Sequence, residues 1–241
     1  LANDYRHPVV VAKELATLDV LSDGRLEVGL GAGWSTSDYA ASGISFDRPG
    51  VRIDRLEATL DVLDGAFAGE PFSITGEHVT VTDYTATPRP RQQPRPPLLI
   101  GGGGRRMLQV AARRADIVGI NGNLQAGEIG RDAVSTMTRE AVVDKVDIVR
   151  AAAGERLGAI ELNVRVFLVA VTDDPQPVID SVAAMFDVPA DVVAESPFSL
   201  VGPVPSIVEE ICRLREDFGF SYVIVGDDVI DSFAPVVAAL A

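Results

Sequence analysis

The sequence predicts an α/β fold built on a parallel sheet, and three observations carry that reading. Apolar strand-like runs alternate with segments of helical spacing along the whole chain. The strands, such as Tyr222-Val223-Ile224-Val225, are continuously apolar, as strands covered on both faces must be. Between Leu98 and Arg106 a short apolar strand enters four glycines, Gly101 to Gly104, and two arginines then open a helix.

The elements follow in order. Residues 9–21 have helical apolar spacing and end at Ser22-Asp23-Gly24. Residues 25–33 read as a strand, because Leu26, Val28 and Leu30 alternate with Glu27, Gly29 and Gly31. A second helix fits 49–67, with Asp47 near its start, Gly69 at its end, and one face of Ile53, Leu56, Leu60, Leu63 and Phe67. Residues 72–81 suggest a hairpin-like insertion broken at Thr75-Gly76. Residues 87–97 hold five prolines and should cross the surface extended. Strands are then expected at 97–101, 116–121, 160–172 and 221–226. Helices are expected at 107–114, 131–153, 175–186, 205–218 and 230–240. One domain is the economical reading. Five strands are visible, whereas a closed (β/α)8 barrel needs eight and an open doubly wound sheet five or six, so spacing leaves both open.

Composition narrows the function. The 241 residues are 47% hydrophobic, enough to bury a substantial core. No long apolar run and no signal-like start is present, so a soluble cytoplasmic protein is expected. Two histidines and one cysteine give no zinc-ligand spacing and no disulfide framework, so no metal is expected. Cys212 lies in an amphipathic stretch and reads as a packed core thiol. A net charge of −14 argues against a nucleic-acid surface.

Within that acidic chain the span 84–115 carries seven arginines and no acid. Glycines let backbone N–H groups converge on an anion, and a helix N-terminus adds partial positive charge. The run fits an anion seat for a cofactor phosphate, or a flexible turn beside a solvated arginine face. It is neither a Walker A motif nor a clean GxGxxG fingerprint.

Several strings, in order, resemble one family. They are Arg6-His7-Pro8, Ala12-Lys13, the run from Ala16 to Arg25, and Gly29-Leu30-Gly31-Ala32-Gly33-Trp34. Phe46-Asp47-Arg48-Pro49 with Arg52, Pro96 to Gly102, Ala111 to Asp116, and Leu200-Val201-Gly202 through Phe218-Gly219 to Tyr222 continue the match. Together they resemble the bacterial luciferase-like monooxygenase superfamily, in particular its coenzyme F420-dependent oxidoreductases.

The resemblance implies a (β/α)8 TIM-type barrel whose first βα units precede Leu1, so that the chain is one N-terminally incomplete barrel domain. It also implies association, most simply as a homodimer. The expected function is hydride transfer between coenzyme F420 and a small organic substrate, with no nucleic-acid or membrane partner. An FMN-dependent monooxygenase and a non-catalytic barrel subunit are the alternatives. Gly101, Gly102, Gly103 and Gly104 match the family loop that holds the cofactor phosphate, with Arg105 assisting. Asn3, Trp34, Ser35, Ser37 and Asn121 fall where family members meet the cofactor, although Trp34 also reads as a core wedge. The resemblance places the proton donor or acceptor upstream of Leu1, so no catalytic residue is assigned. The glutamate and asparagine that some deazaflavin enzymes carry near Trp34 and Ser37 do not occur here.

Overall fold

The computed structural model describes residues 1–241. In chain order its helices and strands are α1 (Pro8–Leu21), β1 (Val28–Leu30), α2 (Thr36–Ser42), α3 (Pro49–Ala68), β2 (Phe72–Thr75), β3 (Thr80–Tyr84), β4 (Leu98–Gly102), α4 (Arg105–Arg114) and β5 (Ile117–Ile120). There follow α5 (Arg131–Ser135), α6 (Arg139–Ala153), β6 (Glu161–Arg165), β7 (Leu168–Val171), α7 (Gln176–Phe186), α8 (Ala190–Ala194), β8 (Ser199–Gly202), α9 (Val204–Phe218), β9 (Phe220–Ile224) and α10 (Ile230–Leu240). One sheet has the strand order β1-β4-β5-β6-β9. The pairs β1·β4, β6·β9 and β7·β8 are parallel, as continuously apolar strands joined through helices require. No helix is long and apolar enough to cross a membrane.

The chain divides into two compact units. The first comprises Leu1–Gly101, Arg113–Ile117 and Gln125–Glu128. Its core packs Val11, Ala12, Leu15 and Ala16 of α1 with Leu56, Leu60, Leu63 and Phe67 of α3, all buried. The expected insertion is an antiparallel hairpin, β2·β3, closed over Val62 by Val79 and Val81. Asp19, fully buried at the end of α1, accepts the backbone N–H and the side-chain amide of Gln92, each at 2.8 Å, and so anchors the proline-rich crossing. Asp47 does not cap α3; it pairs with Arg55 instead.

The second unit comprises Gly102–Ala112, Val118–Leu124 and Ile129–Ala241. Leu108, Val110, Val118, Ile120, Val146, Val149, Ile207 and Leu214 are buried in it.

Four expectations need correction. The strand expected at 25–33 is ordered as β1 only over Val28–Leu30, with Gly31 and Gly33 following it. The strand expected at 160–172 is two strands: Val166 still donates to Ile224, but Phe167 donates to Phe198, so the chain leaves β9 for β8. The helix expected at 131–153 breaks at Thr136, where the Thr138 hydroxyl caps a fresh start by accepting Ala141 N–H. Cys212 is exposed, because Ile207, Leu214 and Phe218 form the buried stripe of α9 and Cys212 lies off it.

Candidate cofactor-binding site

The glycine run ends β4 and opens α4. Gly104 O accepts the first helical bond, from Leu108 N–H at 3.0 Å, which leaves the amides of the first turn without helical partners. The first turn of α4 carries no acid, and Arg105 and Arg106 are exposed. None of Gly101 to Gly104 has a positive φ. Their requirement for glycine is therefore spatial. A Cβ on Gly103 would lie 2.1 Å from the Gly122 carbonyl oxygen and 2.7 Å from that of Asn121, so no side chain fits without moving backbone. A Cβ on Gly104 would meet nothing within 4 Å. Braced at one glycine and open at the next, on a helix N-terminus without acid, the loop fits a phosphate.

The brace comes from the segment after β5. Asn121 N–H donates to Gly102 O at 3.0 Å, so Asn121 supports the loop through its backbone. Gly122 faces Met137, whose Cε would lie 2.2 Å from a Cβ there. The Thr136 hydroxyl accepts Asn123 N–H at 2.8 Å and donates to Ala133 O at 2.7 Å. Lys145, 6% exposed, donates from Nζ to Thr136 O, and burial alone pulls its amine down to about 8. Sequence reading missed Gly122, Thr136 and Lys145. The one available signal was a lysine inside the apolar spacing of Val142, Val146 and Val149.

In the first unit, Asn3 is buried beside β1, its N–H donating to Gly31 O at 2.9 Å, and its Oδ1 is buried without a partner. Next to it the Asp4 carboxylate accepts the Tyr39 hydroxyl at 2.9 Å and Arg55 at 3.1 Å. Burial and then Asp4 push the Tyr39 phenol up to about 12. Arg52, 3% exposed, donates to Gly33 O and lies 4.0 Å over the Phe46 ring. These residues hold the turn that presents Trp34. The indole is 43% exposed, so the core-wedge reading of Trp34 fails; Tyr39 fills the space beside Gly33 instead. Ser35 caps α2 by accepting Asp38 N–H at 3.2 Å, and its hydroxyl meets that of Ser37 at 2.9 Å. His7 is likewise a helix cap, its Nδ1 accepting Val9 N–H.

The structure thus joins Gly103 to Asn121 in the second unit, and Ser35 to Ser37 in the first. It also corrects the arginine island. Arg91 pairs with Asp23, Arg95 with Asp116, Arg113 with Glu57, and Arg114 with Asp61 and Asp64. The neutralising carboxylates come from outside the acid-free window, mostly from α3, which a linear reading of charge does not register.

Comparison with known proteins bears on the family and the fold. The sequence profile of the family described as luciferase-like monooxygenase matches residues 2–196. The FMNH2-dependent dimethylsulfone monooxygenase of Pseudomonas putida is 30% identical over 163 residues, which make up 68% of this chain and 41% of that protein. The chain thus spans about two fifths of the length of that curated relative. The coenzyme F420-dependent tetrahydromethanopterin reductase of Methanopyrus kandleri superposes with a TM-score of 0.75, over 98% of this chain and 78% of that one, at 20% identity. An F420-dependent secondary alcohol dehydrogenase, solved with an F420–acetone adduct, gives 0.74 over 98% and 76%, at 19% identity. At such identities the structures speak for the fold, which is the α/β TIM-barrel type. The profile spans residues 2–196, most of the chain: the chain belongs to the luciferase-like monooxygenase family.

Proposed function

We propose that the chain is part of an oxidoreductase working with reduced FMN, and that Gly101 to Gly104 hold the cofactor phosphate with Arg105 at the rim. The observation that carries this reading is the seat itself, braced at Gly103 by Gly122 and open at Gly104. The choice of FMN over the deazaflavin expected from the sequence rests on the curated relative, whose name gives FMNH2 as its cofactor. Hydride transfer with coenzyme F420 is the second reading, favoured by the two structural neighbours named for that cofactor.

When bound, reduced FMN supplies the activation of dioxygen for oxygenation of a small organic substrate. The residues of this chain contribute binding and orientation. Amides at the start of α4 fix the phosphate, and Asn121 holds the loop from below. Asn3, Trp34 and Ser37 are proposed as ligand contacts of the first unit, with Ser35 setting the turn that carries two of them. A homodimer is part of the proposal, since α1 leaves Val10, Leu18 and Leu21 exposed. Light scattering that finds only single-chain particles overturns that part.

Separate titrations with FMN and coenzyme F420, followed by emission of Trp34, the single tryptophan, test the cofactor reading. Saturable FMN binding that weakens in Gly104→Asp is expected. No saturable binding of either cofactor by a folded protein would favour the non-catalytic alternative.

A further inference from the structure

We propose that Lys145 is a positioning residue for the phosphate loop, acting through the α5–α6 junction on the floor beneath Gly103. The inference rests on the cofactor reading above.

The connection is a run of short contacts within the second unit. Lys145 Nζ donates to the carbonyl of Thr136, the residue that ends α5. The Thr136 hydroxyl holds Asn123 N–H at 2.8 Å. The next residue, Met137, fills the space in front of Gly122 and is itself fixed by Ser196, whose hydroxyl donates to Met137 O at 2.8 Å. Gly122 O in turn closes the space over Gly103. Asn121 N–H, one residue earlier, bonds Gly102 O. A displacement of Thr136 therefore moves Asn123 and Gly122 together, and with them the surface against which the glycine loop is set.

A lysine is an expensive way to fill this position. It is buried, it meets a backbone carbonyl, and no carboxylate offsets the desolvation that lowers its pKa. An apolar residue would pack between Val142 and Val146 without that penalty. What the ammonium adds is a fixed point for one carbonyl at a helix break, and that carbonyl stands two hydrogen-bonded steps from the loop. Lys145 touches no ligand in this arrangement. Its effect is on the aim of the Gly103 and Gly104 amides, so it concerns the phosphate and not the ring.

That distinction gives the test. Dissociation constants of FMN and of riboflavin, which lacks the phosphate, are measured for the wild type, Lys145→Met, Lys145→Arg and Gly104→Asp. The same pairing of coenzyme F420 with its phosphate-free deazaflavin core covers the second reading. Lys145→Met is expected to weaken FMN about tenfold, the order of one charge-assisted hydrogen bond losing its geometry, and to leave riboflavin unchanged. Lys145→Arg, which keeps a cationic donor, is expected to restore most of the loss. Amide hydrogen exchange over residues 100–108 of the cofactor-free protein should quicken in Lys145→Met. Should that variant not fold, Thr136→Val removes the hydroxyl step alone and is expected to give the same pattern. Equal weakening of FMN and riboflavin, or unchanged FMN affinity and exchange, overturns the proposal. If Gly104→Asp also spares FMN, the phosphate reading of the loop fails. If Gly104→Asp weakens FMN while Lys145→Met does not, only the role of Lys145 falls.

Discussion

Gly103 lies directly against Gly122: a Cβ on the first would fall 2.1 Å from the carbonyl oxygen of the second. The relationship separates two adjacent glycines that look interchangeable in sequence. Gly103 is an internal contact, whereas Gly104 borders open space.

Substitutions should part accordingly. Gly103→Ala forces backbone apart and should cost about 1–3 kcal/mol, the usual range for overpacking. A larger acid such as Gly103→Glu costs more, so its effect on cofactor affinity is confounded by loss of fold. Gly104→Asp should leave urea unfolding nearly unchanged and, on the proposed phosphate seat, weaken FMN about tenfold by placing a carboxylate at that seat. Unfolding curves and titrations of both variants check this. Equal stability of the two variants would refute the assignment of Gly103 to the brace.

The sequence made the alternation of strands and helices legible because apolar period and glycine punctuation are local signals. It missed the break at Val166–Phe167, because the alternating stretch 161–165 passes into the apolar run 166–171 with no glycine or proline between them, although the two halves find different partners. Of the candidate site, the run Gly101 to Gly104 stood out by glycine content, which alone left an anion seat and a flexible turn both open; the family resemblance pointed to the seat. The brace was not legible, since the side chains of Lys145 and Thr136 act on backbone groups distant in sequence, and only the lysine inside an apolar stripe hinted at it. The arginine island misled for a related reason: Asp61, Asp64 and Glu57, on a helix far earlier in the chain, neutralise it.

Tyr39 should make the protein alkali-sensitive. Its phenol is raised from 10 to about 12, so the folded state holds the proton more firmly than the unfolded chain. That contribution is complete below pH 10 and is lost as pH climbs from 10 through 12, on the order of 1–3 kcal/mol. Tyr39→Phe should lose the Asp4 hydrogen bond at neutral pH and flatten this part of the stability curve. Chemical denaturation at a series of pH values gives the comparison, and an identical alkaline slope in wild type and variant would refute it.

Lys145 acts in the opposite sense and in a lower window. Its amine is depressed from 10.5 to about 8, so between these values the unfolded chain binds more protons than the folded one. Stability should therefore rise as pH goes from 8 toward 10.5, relieving the penalty of a buried cation that is complete below pH 8. Lys145→Met should lack this rise. The measurement is the same denaturation series, and a wild-type curve that is flat or falling from pH 8 to 10 would contradict it.

Asp116 ties the starts of two strands together. Its backbone N–H donates to Leu98 O at 2.9 Å, and its carboxylate accepts Leu98 N–H at 2.8 Å and the guanidinium of Arg95. Arg95 also donates to Arg114 O at 3.1 Å. The ion pair alone is half-exposed on the aspartate side and should contribute less than about 1 kcal/mol. The bond to Leu98 is different, because Leu98 is 5% exposed and its N–H would be left buried without an acceptor. Asp116→Ala should therefore cost roughly 1–3 kcal/mol, and Asp116→Asn, which keeps an amide oxygen for Leu98, clearly less. Arg95→Met should resemble the Asn variant. Urea unfolding of the three variants at neutral pH reads the order directly: an Ala variant no weaker than the Asn variant would show that charge, and not the Leu98 bond, holds the start of β4.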